Sequence, residues 1–296
     1  MLEGDRSGPR RLPFSFEALG GLGRLALSDL SVGPLLVDRL ELEVNDLGTD
    51  PGNAVAEKYQ RRRTRMRSIL LRMTSQQLEA RVEAVRRHLA SLGVSQLSAR
   101  LHDGFVSMRA RAADGLAAAD LSFRIHFVSA GTHLRALAST VRVHGHLPTP
   151  APVIADRVLV ALLAATDAPN VVERPHARGL CDVEIDLVGA VLWHLLPPAG
   201  WRLPAVNDIE LIGIRIGRSA IEAAYGPAGT RTGELGVRPQ THQLAAAHDL
   251  MHSADQHLRE GQTEEAMRGY RALLAAGGPE QPLLLERILE IGRAHV

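Results

Sequence analysis

His248 and His252 in "HDLMH" stand one helical turn apart, the spacing at which two imidazoles can share a metal ion. Asp255 and His257 follow closely enough to add ligands. No glutamate follows the first histidine, so the zinc-protease signature is absent. Two exposed histidines on a helix explain the pair without a metal, and no metal site is assigned. His144 and His146 share a strand face near His126 and Arg124, and Asp182, Glu184 and Asp186 could add carboxylates to them. Period-two alternation accounts for all of these as the solvated face of a sheet. No nucleophile elbow, P-loop or dinucleotide fingerprint occurs, and "GGLG" at Gly20–Gly23 lacks the required spacing. Cys181 is the single cysteine, which excludes an internal disulfide and a cysteine-based zinc site. No catalytic residue is assigned and no cofactor is expected, so the chain reads as a binding protein rather than an enzyme.

The one dense basic run is "RRRTRMR", Arg61–Arg67. Arg61, Arg62, Arg63 and Arg65 are its candidates for holding an anionic headgroup. The run has no interleaved aromatics to stack on bases, so no nucleic-acid partner is expected. A solvated loop or a charged strand edge is the plainer alternative. Net charge over the 296 residues is +1, which gives no global field for nucleic acid or an acidic membrane. Lys58 is the only lysine; with abundant Ala, Gly and Leu this points to a GC-rich genome and weakens any reading of arginine as a phosphate signal. The first twenty residues hold no apolar segment of signal-peptide length, and no stretch is long enough for a membrane span. The expected compartment is therefore the cytoplasm.

Residues 1–12 read as a flexible lead. In "DRLELEVNDL", Leu40, Leu42 and Val44 alternate with Arg39, Glu41 and Glu43, a strand with one wet face. Thr74 and Gln77 form a capping box ahead of Leu78, Val82, Val85, Leu89 and Leu92, the apolar stripe of a helix. Arg81, Glu83, Arg86 and Arg87 are expected to fall away from that stripe. Gly93 ends the helix, and Asp103–Gly104 turns a hairpin. "LSFRIHF" places Leu121, Phe123, Ile125 and Phe127 on one face, and Val141 and Val143 alternate with Arg142 and His144. "APVIADRVLVALLAAT" is a second helix. Cys181, Val183, Ile185 and Leu187 read as one strand, "LPPAGW" as a turn-rich bridge, and Ile212, Ile214 and Ile216 as another strand returning through Ile221, Ala223 and Tyr225.

The fold class expected is α+β: a curved antiparallel sheet packed around one or two long helices, spanning residues 13–227. A linker at 228–244 leads to a helical hairpin at 245–296. Its "ADQHLREGQTEEAMRGYRALLAAGGP" resembles a tetratricopeptide repeat, with Ala254, Gly261, Ala266, Tyr270 and Leu273 as the packing positions and His257 where an aromatic is usual. A single repeat leaves a face open, so neighbouring repeats and a protein partner are expected. The last seven residues, "EIGRAHV", match the translation of a common sequencing adapter, so 290–296 are expected to be artefactual and the repeat array cut short.

Four stretches carry a second likeness: "LSDLSVGPLLVDRLELEVNDL", "MTSQQLEARV", "LHDGFVSM" and "VHGHLPTPAPVI". In these, residues 14–226 resemble the tubular lipid-binding superfamily, in particular its small bacterial members. The resemblance implies a lipid or other apolar ligand. Leu78, Val82, Val85, Leu89, Leu121, Phe123, Ile125 and Phe127 are its candidate contacts, provided the helix leaves the sheet's concavity unfilled. The alternative is a scaffold with a filled core, in which only the helical repeats recognise a partner.

Overall fold

The computed structural model describes residues 14–19, 22–44, 63–114, 117–164, 176–230, 239–276, 288–289 and 291. Four strands come first: β1 (Ser15–Leu19), β2 (Leu22–Val32), β3 (Leu35–Val44) and β4 (Thr64–Thr74). Helix α1 (Ser75–Ala90) follows, then β5 (Val94–His102), β6 (Phe105–Asp114), β7 (Ala117–Ala130) and β8 (His133–Gly145). After α2 (Ala151–Ala164) come β9 (His176–Gly179), β10 (Asp182–Ile185) and α3 (Leu187–Leu195). The strands β11 (Ile209–Ile216) and β12 (Ala220–Pro227) precede the helices α4 (Pro239–Arg259) and α5 (Thr263–Ala275). The fold is α+β, with antiparallel sheets and a C-terminal helical pair.

There are two six-stranded sheets where the sequence suggested one. Sheet A runs β1-β2-β3-β4-β12-β11 and sheet B runs β5-β6-β7-β8-β10-β9. Both have the same plan: a four-strand meander, then a hairpin whose second strand pairs with the meander's fourth. Sheet B is nested in the chain between β4 and β11. Period-two patterning reports which face of a strand is buried, not which sheet the strand joins, and this is why the division was not legible. The turns of sheet B meet the free edge of β11: Leu211 N–H donates to the Gly131 carbonyl (2.9 Å), and Gly104 N–H donates to that of Ile216 (2.9 Å). These bonds satisfy part of an edge that would otherwise be open.

Each sheet has its own core. Sheet B is covered on its inner face by α1 and α2, with Val85, Leu89, Phe123, Val158 and Leu159 buried among them. Sheet A is covered by α3 and the turn after it, through Val191, Leu192, Leu195 and Trp201. The alternation in β3 holds, since Leu40, Leu42 and Val44 are fully buried. Its outward face is polar and cross-linked: Asp38 accepts from Arg72, Glu41 from Ser68 and Glu43 from Arg67.

The start of α1 is capped as read. Gln77 N–H donates to Thr74 Oγ1, and Thr74 N–H donates to Gln77 Oε1. Two readings on this helix need correction. Leu92 lies past its end and is exposed. Arg81 is buried, not solvated; its Nε and Nη2 donate to the Leu162 carbonyl at 3.1 and 3.2 Å. That carbonyl is one of the last in α2, where no intrahelical donor remains, so the guanidinium serves as a cap from outside. At Gly93 φ is +78°, and a Cβ would lie 2.3 Å from the Ala113 carbonyl oxygen, so only glycine fits.

Three further differences follow from local geometry. Leu187 begins helix α3 instead of ending a strand; "LVGAVLWHL" is apolar on nearly every position and hides its helical period. Asp186 caps it, accepting from Gly189 N–H at 2.7 Å. The register of β7 with β8 shifts near Thr140, whose φ is +55°, and sets Val143 opposite the buried Leu121, yet Val143 itself is exposed near the end of β8. A similar shift at Leu211/Gly213 places Ile209, Leu211, Ile214 and Ile216 in the core and leaves Ile212 only partly buried.

The helical pair closes as the small residues suggest. Ala254, Ala266, Tyr270 and Leu273 are buried together, and Tyr270 Oη donates to Asp255. A Cβ at Gly269 would come within 2.9 Å of the Ala254 Cβ, so this glycine sets the helix separation. Gly261 does not pack; it turns the chain at φ +77° with open space around it. No helix among the described residues is long and apolar enough to cross a membrane.

Candidate functional site

The two cores meet where Leu134 of sheet B packs into the core of sheet A and Ile216 of sheet A into that of sheet B. A cleft of about 920 Å3, its open mouth included, lies at that seam. Sheet A supplies Leu35, Leu71, Met73, Ile214, Ile221 and Ala223 to the wall; sheet B supplies Val106, Met108, Ile125, Phe127 and Leu134. Leu78 of α1 and Leu162 and Leu163 of α2 close one side, with Ile185 and Leu187 at the approach to α3. Met73 and Phe127 touch both cores. Sites that take small organic molecules are mainly apolar with few polar groups, and this lining has that character.

Only two of the lining residues are polar, Arg72 and Arg81. Arg72 follows Leu71 in a strand whose alternate side chains face inward, so its own side chain turns to the outer face and meets Asp38 there at 2.8 Å. Arg81 is held by the end of α2. The cleft therefore offers a ligand aliphatic surface rather than a set of reacting groups.

Of the eight apolar candidates named from the sequence, Leu78, Ile125 and Phe127 line this cleft. Val82, Val85, Leu89, Leu121 and Phe123 are buried in the core of sheet B and do not reach it. The sequence missed the whole contribution of sheet A, because a cleft between two sheets has no signature within either one. In the basic run, Arg61 and Arg62 lie outside the described residues. Arg63 is exposed, and Arg65 is exposed and paired with Asp208, away from the cleft.

A second group of polar side chains lies under α4, on the outer face of sheet B. Arg135 and Asp182 are buried there as a two-pronged pair, Nε to Oδ1 at 2.8 Å and Nη2 to Oδ2 at 2.5 Å. Asp249 of α4 adds a contact to Arg135 at 2.9 Å. Burial works against the charge on Arg135, but the hydrogen bonds it donates to Asp182 and Asp249 outweigh it and raise its pKa. Asp182 is thus no part of a solvated face. His248 is buried rather than exposed, and burial lowers its pKa. His126 is lowered by burial and then by Arg124. The signal for this layer was Arg135 itself, a lone charge inside the apolar run "LRALAS".

Among the described residues, no three His, Cys, Asp or Glu side chains are placed to hold a metal ion. His144 and His146 are exposed at the far end of β8 and beyond it, and gather no partner set. No family model, curated protein or solved structure matches the chain.

Proposed function

We propose that this chain is a non-enzymatic binding protein that takes a lipid or similar apolar ligand between its two sheets. Its C-terminal helices then serve as a contact for a protein partner. The observation that carries the reading is the cleft, an aliphatic-walled space at the seam of the two cores. Leaving such a surface open to water forgoes about 25 cal/mol for each Å2 that a ligand would cover. Curved sheets wrapped on α1 and α2, as in tubular lipid-binding proteins, are part of the same reading. So is the likeness of α4 and α5 to a tetratricopeptide repeat, which the buried Ala254, Ala266 and Tyr270 support.

Native mass spectrometry after gentle extraction tests it. A lipid-sized adduct released on activation supports the carrier. A clean apo mass, with no adduct after incubation with mixed lipids, would favour the rival reading of a scaffold that acts through its helices alone. One observation favours that rival: Val82, Val85, Leu89, Leu121 and Phe123 fill the core of sheet B completely instead of lining a cavity.

A further inference from the structure

Helix α4 lies on the outer face of sheet B with ionisable groups along the joint, of which Arg124 and Asp249 stay exposed. His248, Asp249 and His252 come from α4, Arg124 and His126 from β7, Arg135 from β8 and Asp182 from β10. Arg135 holds both Asp182 and Asp249, and Arg124 lies over the Phe105 ring, 4.6 Å from its centre. Further along the same face His133 meets Glu184 at 3.4 Å. The histidines under the helix are matched only in part. Both ring nitrogens of His248, Nδ1 of His126 and Nδ1 of His252 are buried without a hydrogen-bond partner. The Ala138 carbonyl faces His248 without completing a bond of good geometry. His252 lies against Gly179, 3.5 Å from where a Cβ there would sit.

Buried nitrogens with no partner weaken a joint in every protonation state. A neutral imidazole tolerates the site, whereas an imidazolium does not. It would stand beside Arg135 and the other histidine, with both oxygens of Asp182 already taken by Arg135. We propose that α4 is a pH-released strap, docked on sheet B while His248 and His126 are neutral and lifted away with α5 when they are protonated.

The direction follows from proton counting. Burial lowers both histidines in the docked state; Arg135 adds to the effect at His248 and Arg124 at His126, while Asp182 and Asp249 oppose it at His248 and the Gly104 backbone at His126. In the released state both return toward 6.5. The docked state therefore binds fewer protons. Docking is at full strength above that value and weakens as pH falls below it, by up to about tenfold per pH unit for each histidine.

Hydrogen exchange on the full chain, read by mass spectrometry from about pH 7.5 to about pH 5 and corrected for intrinsic rates, tests this. Protection in residues 239–259 should hold steady above about pH 6.5 and then fall by as much as roughly a hundredfold per unit, while α1 keeps its protection. His248→Leu should make the fall shallower, and His126→Leu should do the same. Flat protection of α4 throughout, an equal loss in α1 and α4, or an unchanged response in both variants would each overturn the proposal. If neither variant docks at neutral pH, the wild-type profile decides alone.

Discussion

Arg135 and Asp182 are joined through two parallel hydrogen bonds in a place that water does not reach, with side-chain exposures of 5% and 2%. Removing Asp182 leaves the buried guanidinium with the half-exposed Asp249 as its counter-charge, in a poor medium for a charge. Asp182→Ala should therefore cost about 3–5 kcal/mol in stability, measured by chemical denaturation. Asp249→Ala removes a half-exposed carboxylate from the same guanidinium and should cost about 1 kcal/mol or less. Equal costs would mean that α4 and β10 share the counter-charge evenly, and a larger cost for Asp249→Ala that α4 supplies the main part.

Val85 is buried on the side of α1 that meets sheet B, while Arg86, one position on, is exposed and pairs with Glu83 at 2.9 Å. Val85→Asp should remove about 3 kcal/mol or more, enough to prevent folding of a marginal chain. Arg86→Asp should change stability by about 0.5 kcal/mol or little more. Two thermal melts separate them, and similar losses in both would mean that the helix presents another face.

How legible this protein was in its sequence depended on the range of the interaction. The capping box at Thr74, the stripe from Leu78 to Leu89, the stop at Gly93 and the alternation through Leu40, Leu42 and Val44 are local, and each is present. Arg81 was misread because a charge on an apolar face has a reason only in the Leu162 carbonyl, 81 residues away. Asp182 and His248 were misread as solvated for the same reason: nothing nearby in the chain says that α4 will lie on sheet B. The register shift at Leu211 broke the period of two and moved Ile212 off its expected face, while Val143, opposite the buried Leu121, is exposed near the end of its strand. Leu78, Ile125 and Phe127 were legible as apolar surface, but the cleft they line is made by a second sheet.

Tyr225 presents its hydroxyl to the core of sheet A with no hydrogen-bond partner. Burial, and then the nearby Asp186, raises its pKa, so it stays neutral at any pH the fold survives. The hydroxyl contributes a desolvation penalty and nothing in return. Tyr225→Phe should leave stability unchanged or raise it by about 1 kcal/mol. A loss of about 2 kcal/mol in unfolding free energy, measured by chemical denaturation, would reveal a bound water or ligand at that oxygen.

The cleft between the sheets is tested most directly by narrowing it. Ala223 lies on β12 in its wall, where a larger side chain would project into the space. The measurement is fluorescence titration with an apolar dye such as N-phenyl-1-naphthylamine, on wild type and Ala223→Phe, after both are shown to melt cooperatively. A ligand site in the cleft predicts saturable enhancement in the wild type and affinity weakened at least about tenfold in the variant, the equivalent of 1.4 kcal/mol. Equal binding by the two proteins, or none by either, would contradict the cleft as the site of function.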